Sequence, residues 1–359
     1  MARTTVGAAR KSVGVGLRTV GVLIWSSPIK SKDEAAPRAP SRAAGTLPIV
    51  VIEPRQGRGS EHVTMEERML GLNQTGPMPQ LFRLGDLLDE WDAEAEAAYL
   101  ARRANRQRGP RTGLSGLDQA LGGAIPRGPN VIHGGPGAGK SALGLQVAAT
   151  CGAPSLIVSC EMAPLALLRR LIARETGTHL GRLASGELEP REARALARRA
   201  LENLAHLAIV DATQAFADPE WLLQAAEAVR GDDEHLFIVV DSVNSWSDGA
   251  PGDVPEYERV SVAVDALRTL AATLSCPILA VAERNRASME RGGLSAGAGS
   301  RKLEYAAETV WDLQRNLDVA PNAAGEVPVT LKLAKNRNGA AGRKVDLRFH
   351  GGLQRFREA

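Results

Sequence analysis

The string Gly134-Gly135-Pro136-Gly137-Ala138-Gly139-Lys140-Ser141 has the spacing G-x-x-x-x-G-K-S, whose chemistry is the holding of a nucleoside triphosphate. Its glycines permit backbone angles and close approaches that a Cβ forbids, so successive N–H groups can face phosphate oxygens. Lys140 then reaches the β- and γ-phosphates, and Ser141 offers a hydroxyl to Mg²⁺. Two carboxylates extend the set towards hydrolysis. Asp241 ends the most apolar run of the chain and suits the Mg²⁺ shell beside Ser141. Glu161 follows the apolar run Leu156-Ile157-Val158-Ser159 and can orient and polarise an attacking water. Away from a sheet edge the same Asp would merely cap a turn and the same Glu would be solvated.

The elements around them therefore decide. Residues 129–133 read as a short buried strand and 142–148 as a helix, the strand, loop, helix order the cradle requires. Apolar runs at 155–159, 207–211, 236–241 and 277–282 alternate with helical stretches at 165–175, 191–204, 221–229 and 260–274. Strands apolar throughout, alternating with helices, predict an α/β fold with a mainly parallel sheet covered on both faces. Asp241 and Glu161 then fall at its carboxyl edge, where such folds bind ligands. Residues 327–334 and 344–349 alternate apolar and polar around a turn at 338–342, which predicts a C-terminal antiparallel hairpin at the sheet edge.

Upstream, Leu84, Leu87, Leu88, Trp91, Ala95 and Tyr99 recur at helical steps, predicting an amphipathic helix over 80–105 that Gly109-Pro110 stops. Its apolar stripe must pack on its own domain or on a neighbouring subunit. Residues 1–75 are basic and polar, rich in Arg, Ala, Pro, Gly and Ser, and read as a disordered tail, with 47–52 as the one strand-like exception. The expected organisation is a tail over 1–75, a linker helix over 76–110 and a motor domain over 111–359.

Of the 359 residues 44% are hydrophobic, enough to bury a full core, and the net charge of +3 permits nucleic-acid binding without arguing for it. Cys151, Cys160 and Cys276 form no C-x-x-C pair, which excludes a zinc or disulfide framework and predicts buried small hydrophobes. No apolar run approaches the ~20 residues of a membrane helix. The stretch 13–25 follows Arg10-Lys11 but is broken by glycines and Arg18, so no export signal is expected and the setting is cytoplasmic.

Taken together, Thr112-Gly113-Leu114-Ser115-Gly116-Leu117-Asp118, the cradle, Ser159-Cys160-Glu161-Met162, the strand into Asp241 and Lys335-Asn336-Arg337-Asn338-Gly339 resemble the C-terminal motor domain of DnaB-type hexameric replicative helicases. The resemblance runs from about residue 84 to 356. It implies a RecA-like P-loop fold, ATP and Mg²⁺ as cofactors, Glu161 as hydrolytic base, and Lys335 and Arg337 reaching the nucleotide of the neighbouring subunit. It also implies a ring of six, a linker helix packed on the adjacent motor, single-stranded DNA in the channel, and a loader or another replication or recombination protein as partner. Candidate contacts to DNA phosphates are Arg286, Arg301 and Lys302.

The chain departs from the family pattern in three places. Residues 1–75 are too short and polar for the helical collar that meets primase. Glu283 stands where a Gln usually senses the γ-phosphate, and an ionised carboxylate cannot donate a hydrogen bond to phosphate. Ala298 and Gly299 stand where the DNA loop usually carries an Arg-Glu pair. These departures keep open an accessory reading, a RadA- or KaiC-like ATPase acting as recombination factor, loader or switch without unwinding. A small-molecule kinase fits Glu161, Lys335 and Arg337 less well.

Overall fold

The structure, a computed structural model, describes residues 81–250, 255–283 and 298–359. The expected tail over 1–75 and the strand-like run 47–52 lie outside the described residues. In chain order come α1 (Leu88–Arg103), α2 (Ser115–Ala120), β1 (Gly128–Gly134), α3 (Lys140–Thr150), β2 (Ser155–Ser159), α4 (Pro164–Thr176), α5 (Leu180–Ser185), α6 (Pro190–Asn203) and β3 (Leu207–Asp211). There follow α7 (Pro219–Arg230), β4 (Phe237–Asp241), α8 (Val243–Asp248), α9 (Glu256–Leu274), β5 (Pro277–Glu283), α10 (Ala298–Ala306), β6 (Thr309–Arg315), β7 (Glu326–Asn336), β8 (Lys344–His350) and β9 (Arg355–Glu358).

The strands form one sheet in the order β3-β2-β4-β5-β1-β6-β7-β8-β9. Neighbours from β3 to β6 run parallel, and β6 to β9 pair antiparallel. Both faces of the parallel part are dry. Ile132, Ile157, Val239 and Leu279 point to one side, against Leu143 and Val147 of α3 and Leu167 and Leu171 of α4. Val131, Val158, Val240 and Ala280 point to the other, against Leu222 of α7, Leu267 of α9 and Leu303 of α10. This two-sided burial is why the strands read as unbroken apolar runs.

Two strands escape the sequence reading. β6 is interrupted by Asp312 and Gln314, and β9 is only Arg-Phe-Arg-Glu, so neither presents a long apolar run. β9, rather than the β7–β8 hairpin, is thus the final edge of the sheet. It is held by Gln146 of α3, whose Nε2 donates to the Phe356 carbonyl at 3.0 Å while its Oε1 accepts from the Phe356 N–H at 2.7 Å. The Phe356 ring stacks on Phe349 with centroids 4.4 Å apart.

The Thr112-to-Asp118 string is a structural knot. Asp118 Oδ1 accepts from the Thr112 N–H at 2.6 Å and from its hydroxyl at 2.7 Å, so Thr and Asp close the turn. Gly113 has φ +75°, and a Cβ there would sit 2.6 Å from the Thr150 hydroxyl.

The upstream helix begins later than its periodicity suggests. A 3₁₀ turn over Leu84–Leu87 precedes α1, and Asp86 accepts from the Arg83 N–H at 3.0 Å. It ends at Arg103, two residues before the expected limit at 105, where Asn105 takes a left-handed φ of +49°. Only Ala101 of α1 is buried, and Leu84, Leu88, Trp91 and Tyr99 are exposed.

Cys151 and Cys276 are buried as expected, but Cys160 is half-buried at the carboxyl edge. All three are free thiols.

Replacing Gln146 by Leu leaves two buried backbone groups of Phe356 unpaired, which costs ~2–4 kcal/mol. Denaturant unfolding of Gln146→Leu should show a loss of that size, with β9 amides losing hydrogen-exchange protection first. Unchanged protection of β9 would contradict the assignment.

Candidate active site

Gly134, the last residue of β1, lies so close to β6 that a Cβ would come 2.7 Å from the Leu313 carbonyl oxygen. The loop then turns through Gly137 at φ +74° and Gly139 at φ +98°, and Gly139 caps α3. A Cβ on Gly139 would also meet the Phe356 ring at 2.8 Å. The cradle is therefore shaped from behind by the C-terminal hairpin. Lys140 Nζ folds back to donate to the carbonyls of Gly134 at 2.9 Å and Gly135 at 3.3 Å. Arg315 braces the loop tip, donating to the Gly137 carbonyl at 2.9 Å with its guanidinium 5.9 Å from the centre of the Phe349 ring. The free N–H groups of the first turn of α3, after Pro136 and Ala138, make a fitting anion seat.

Asp241 ends β4 and is 6% exposed. Burial pushes its carboxyl above the ordinary range. A hydrogen bond from Ser141 and the charges of Lys140 and Arg170 oppose that push, whereas Glu161 adds to it. Ser141 and Asp241 are thus in contact, a hydroxyl and carboxylate pair of the hard oxygen type that suits Mg²⁺. Among the described residues no group of three His, Cys, Asp or Glu side chains converges on a metal position. A Mg²⁺ that shares its shell with phosphate oxygens needs no such cluster.

β2 lies beside β4 in the register Ser159 to Asp241, and the Cys160 N–H donates to the Asp241 carbonyl at 2.8 Å. Glu161 consequently stands at the same edge. Its Oε1 accepts from the Ser242 hydroxyl at 2.6 Å and from the Ser245 hydroxyl at 2.9 Å. Burial, followed by the charges of Asp241 and Glu161, pushes the Cys160 thiol up to about 12, so it stays protonated and unreactive at neutral pH. Glu283 ends β5 in register with Gly134, which puts a second exposed carboxylate beside the cradle.

Lys335 and Arg337 are elsewhere. Lys335 pairs with Val310 of β6, whereas the cradle strand reaches β6 at Leu313. The pair therefore sits at the opposite edge of the parallel sheet from its own cradle, about 10 Å back along β6 at ~3.3 Å per residue. Lys335 Nζ donates to the carbonyls of Glu304, Tyr305 and Ala307 at 2.7–2.9 Å, closing the C-terminus of α10. Burial, then the charge of Arg337, lowers the Lys335 ammonium, with Glu308 and Glu304 opposing. Arg337 is more open, donating to the Tyr305 carbonyl at 2.7 Å and lying 3.3 Å from Glu308.

Of the cations read as DNA contacts, Arg286 lies outside the described residues and Arg301 is exposed on α10. Lys302 is ion-paired with Asp265 of α9 at 2.6 Å.

The structure adds groups that the sequence reading passed over. Arg170, nine positions after Glu161, lies between the buried Leu167 and Leu171 and reaches both Gln354 at 3.1 Å and the field of Asp241. An arginine on the buried side of a helix that leaves the carboxyl edge is the signal that could have found it. His133 and Glu304, 2% and 6% exposed, meet 3.2 Å apart beneath the cradle. On the far side of the cradle from Asp241, a cleft of about 500 Å³ runs along Gly134–Pro136, residues 312–317, Pro328 and Thr330.

Comparison with known proteins agrees with this architecture. Residues 109–358 match the family described as the DnaB-like helicase C terminal domain. The replicative DNA helicase DnaB of Treponema pallidum (strain Nichols) is 31% identical over 258 residues, which is 69% of this chain and 56% of the relative. That of Haemophilus influenzae (strain ATCC 51907 / DSM 11121 / KW20 / Rd) is 24% identical over 267 residues, 69% of this chain and 55% of the relative. The chain thus spans about half the length of these curated relatives. Among solved structures, the ATPase domain of G40P superposes with TM-score 0.66 at 18% identity, covering 78% of this chain and all of that domain. A DnaB-like replicative helicase solved in a study of its interactions with primase gives 0.65 at 17% identity, covering 81% of this chain and 70% of that one. The two superpositions speak for the fold.

A metal ion at Asp241 would require the ionised carboxylate, and the raised proton affinity would let protons compete at higher pH than for an ordinary Asp. The apparent Mg²⁺ affinity of the nucleotide complex, titrated with a fluorescent ATP analogue, should therefore weaken as pH falls, and more steeply than for Mg²⁺ and the analogue alone. Asp241→Asn should lose that extra pH dependence together with the protein's share of the Mg²⁺ affinity. An Asp241→Asn variant with unchanged Mg²⁺ affinity would contradict the role of Asp241.

Proposed function

This chain belongs to the DnaB-like helicase C-terminal domain family, and from that membership we propose an ATP-driven DnaB-type helicase that hydrolyses ATP at subunit interfaces to move along single-stranded DNA. One observation carries the reading. The cradle and the Lys335–Arg337 pair of the same chain lie at opposite edges of one sheet, so neither cation can serve its own nucleotide. A head-to-tail ring, here a hexamer, brings each pair to the next subunit's cradle.

In that ring the first turn of α3 and Lys140 hold the β- and γ-phosphates, and the cleft beside β6 receives the base and sugar. Mg²⁺, when bound, is held by Ser141 and Asp241 and neutralises phosphate charge. Glu161 takes the proton of the attacking water on Oε2 as the water oxygen bonds to the γ-phosphorus. ADP leaves with the electron pair of the bridging oxygen. Arg337 from the neighbour stabilises the charge that develops, its planar fork matching the phosphoryl oxygens. Its exposed pairing with Glu308 is worth less than about 1 kcal/mol and is readily exchanged. Lys335, bound to three carbonyls, is chiefly the anchor that sets the finger's base.

The apolar stripe of α1, with Trp91 63% exposed, is the linker that docks on the adjacent motor and buries there what its own domain leaves open. DNA lies in the channel against Arg301, Lys302 and Arg286, the first two carried by α10, whose end Lys335 closes. Movement of the finger and grip on DNA thereby share one helix. Cytoplasmic DNA is the substrate, and a loader or another replication or recombination protein is the partner. Glu283 beside Gly134 favours a second reading, an accessory ATPase of the RadA or KaiC kind, since a carboxylate senses the γ-phosphate poorly. ATPase activity that ignores single-stranded DNA, with no strand displacement by the assembled ring, would select it.

Lys140→Ala and Arg337→Ala should each lower ATP turnover roughly 1000-fold or more. Mixed one to one before assembly, they should recover activity, because about a quarter of random interfaces join an intact cradle to an intact finger. A mixture no more active than its components would refute an intersubunit finger.

A further inference from the structure

The structure assigns Ser242 and Ser245 to a hydroxyl clamp that aims Glu161, a role that rests on the reading of Glu161 as the hydrolytic base. Both hydroxyls reach the same carboxylate oxygen, Oε1, at 2.6 and 2.9 Å. Among the described residues Oε2 has no hydrogen-bond donor.

The protons can be followed through the clamp. Each serine has one hydroxyl proton, and each spends it on Oε1. The Ser242 oxygen still accepts the Ser245 N–H at 3.3 Å, which caps α8 and fixes the spacing of the two hydroxyls, 3.0 Å apart. A carboxylate pinned through one oxygen keeps its other lone pairs for the water proton and loses the freedom to rotate about its side-chain bonds. Glu161 itself is exposed on a loop, so without the clamp it would sample many orientations. Ser242 also follows Asp241 directly, and the Cys160 N–H is bonded to the Asp241 carbonyl. The base and the metal carboxylate are thereby held by a single strand end. Positioning of this kind acts on turnover more than on nucleotide affinity, because Glu161 meets the water and not the bound phosphates.

The test uses the full chain in its assembled form. Ser245→Ala, and Ser242→Ala/Ser245→Ala, should lower kcat roughly ten-fold for the pair and less for the single change. KM for ATP and affinity for a non-hydrolysable analogue should stay within about two-fold. Ser245→Thr, which keeps the hydroxyl, should restore the rate. In a Glu161→Gln background, Ser245→Ala should change the residual rate no further, whereas a merely structural role would still reduce it. Native turnover in both serine variants, a faster rate, or a loss of analogue affinity equal to the loss of kcat would overturn the clamp. Glu161→Gln separates the two readings. An active Glu161→Gln removes the base and the clamp with it, while an inactive one beside fully active serine variants removes the clamp alone.

Discussion

At Gly134 the cradle strand passes within contact of the Leu313 carbonyl, an approach that has no room for a side chain, and the rest of the site is arranged around that contact. It lets β1 lie between β5 and β6 with its carboxyl end open, so the loop that follows can curl over a phosphate. Because β1, β2, β4 and β5 all run the same way, their carboxyl ends deliver the cradle, Glu161, Asp241 and Glu283 to one edge. Because β7 runs the other way, the same sheet carries Lys335 and Arg337 to the opposite edge. Strand direction alone therefore separates the cradle from Lys335 and Arg337, and under the proposed function it is what makes the complete site a property of two chains.

The electrostatics follow from this placement. Asp241 is buried, and its proton affinity is raised by desolvation and by Glu161, yet Ser141, Lys140 and Arg170 work against that rise. Such a site is poised for a divalent cation, which would remove the competition between two nearby carboxylates that share one edge. At the other edge Lys335 is spent on the C-terminal carbonyls of α10, where a cation also suits the helix dipole. Arg337 beside it is held more loosely. The division between an anchoring and a reaching cation arises from how many carbonyls each one meets.

The C-terminal strands do more than extend the sheet. Phe356 of β9 and Phe349 of β8 stack behind Gly139, and Gln146 ties β9 to the helix that starts at the cradle. The hairpin that carries Arg337 at one end thus supports the shape of the cradle at the other. Phe349 and Phe356 behind the cradle and Arg337 at the hairpin turn are carried by one run of paired strands.

Local pattern determined a good deal of this protein. The glycine spacing, the apolar runs of β1 to β5 and the alternation of β7 and β8 were legible because each reflects a short-range rule: φ above zero, two-sided burial, or a period of two. Glu161 and Asp241 were legible for the same reason, since both follow such runs directly. The Thr112-to-Asp118 string was recognisable too, though its role as a closed turn was not. Only the tertiary structure decided the rest. β6 and β9 lack a local pattern and exist because neighbouring strands supply their hydrogen bonds. The exposure of the α1 stripe depends on what the domain leaves uncovered, and the meeting of Ser242 and Ser245 with Glu161 joins residues some 80 positions apart. Periodicity reports which face of an element is dry, whereas the partner of a side chain and the edge it reaches are set by long-range register, which no local window contains.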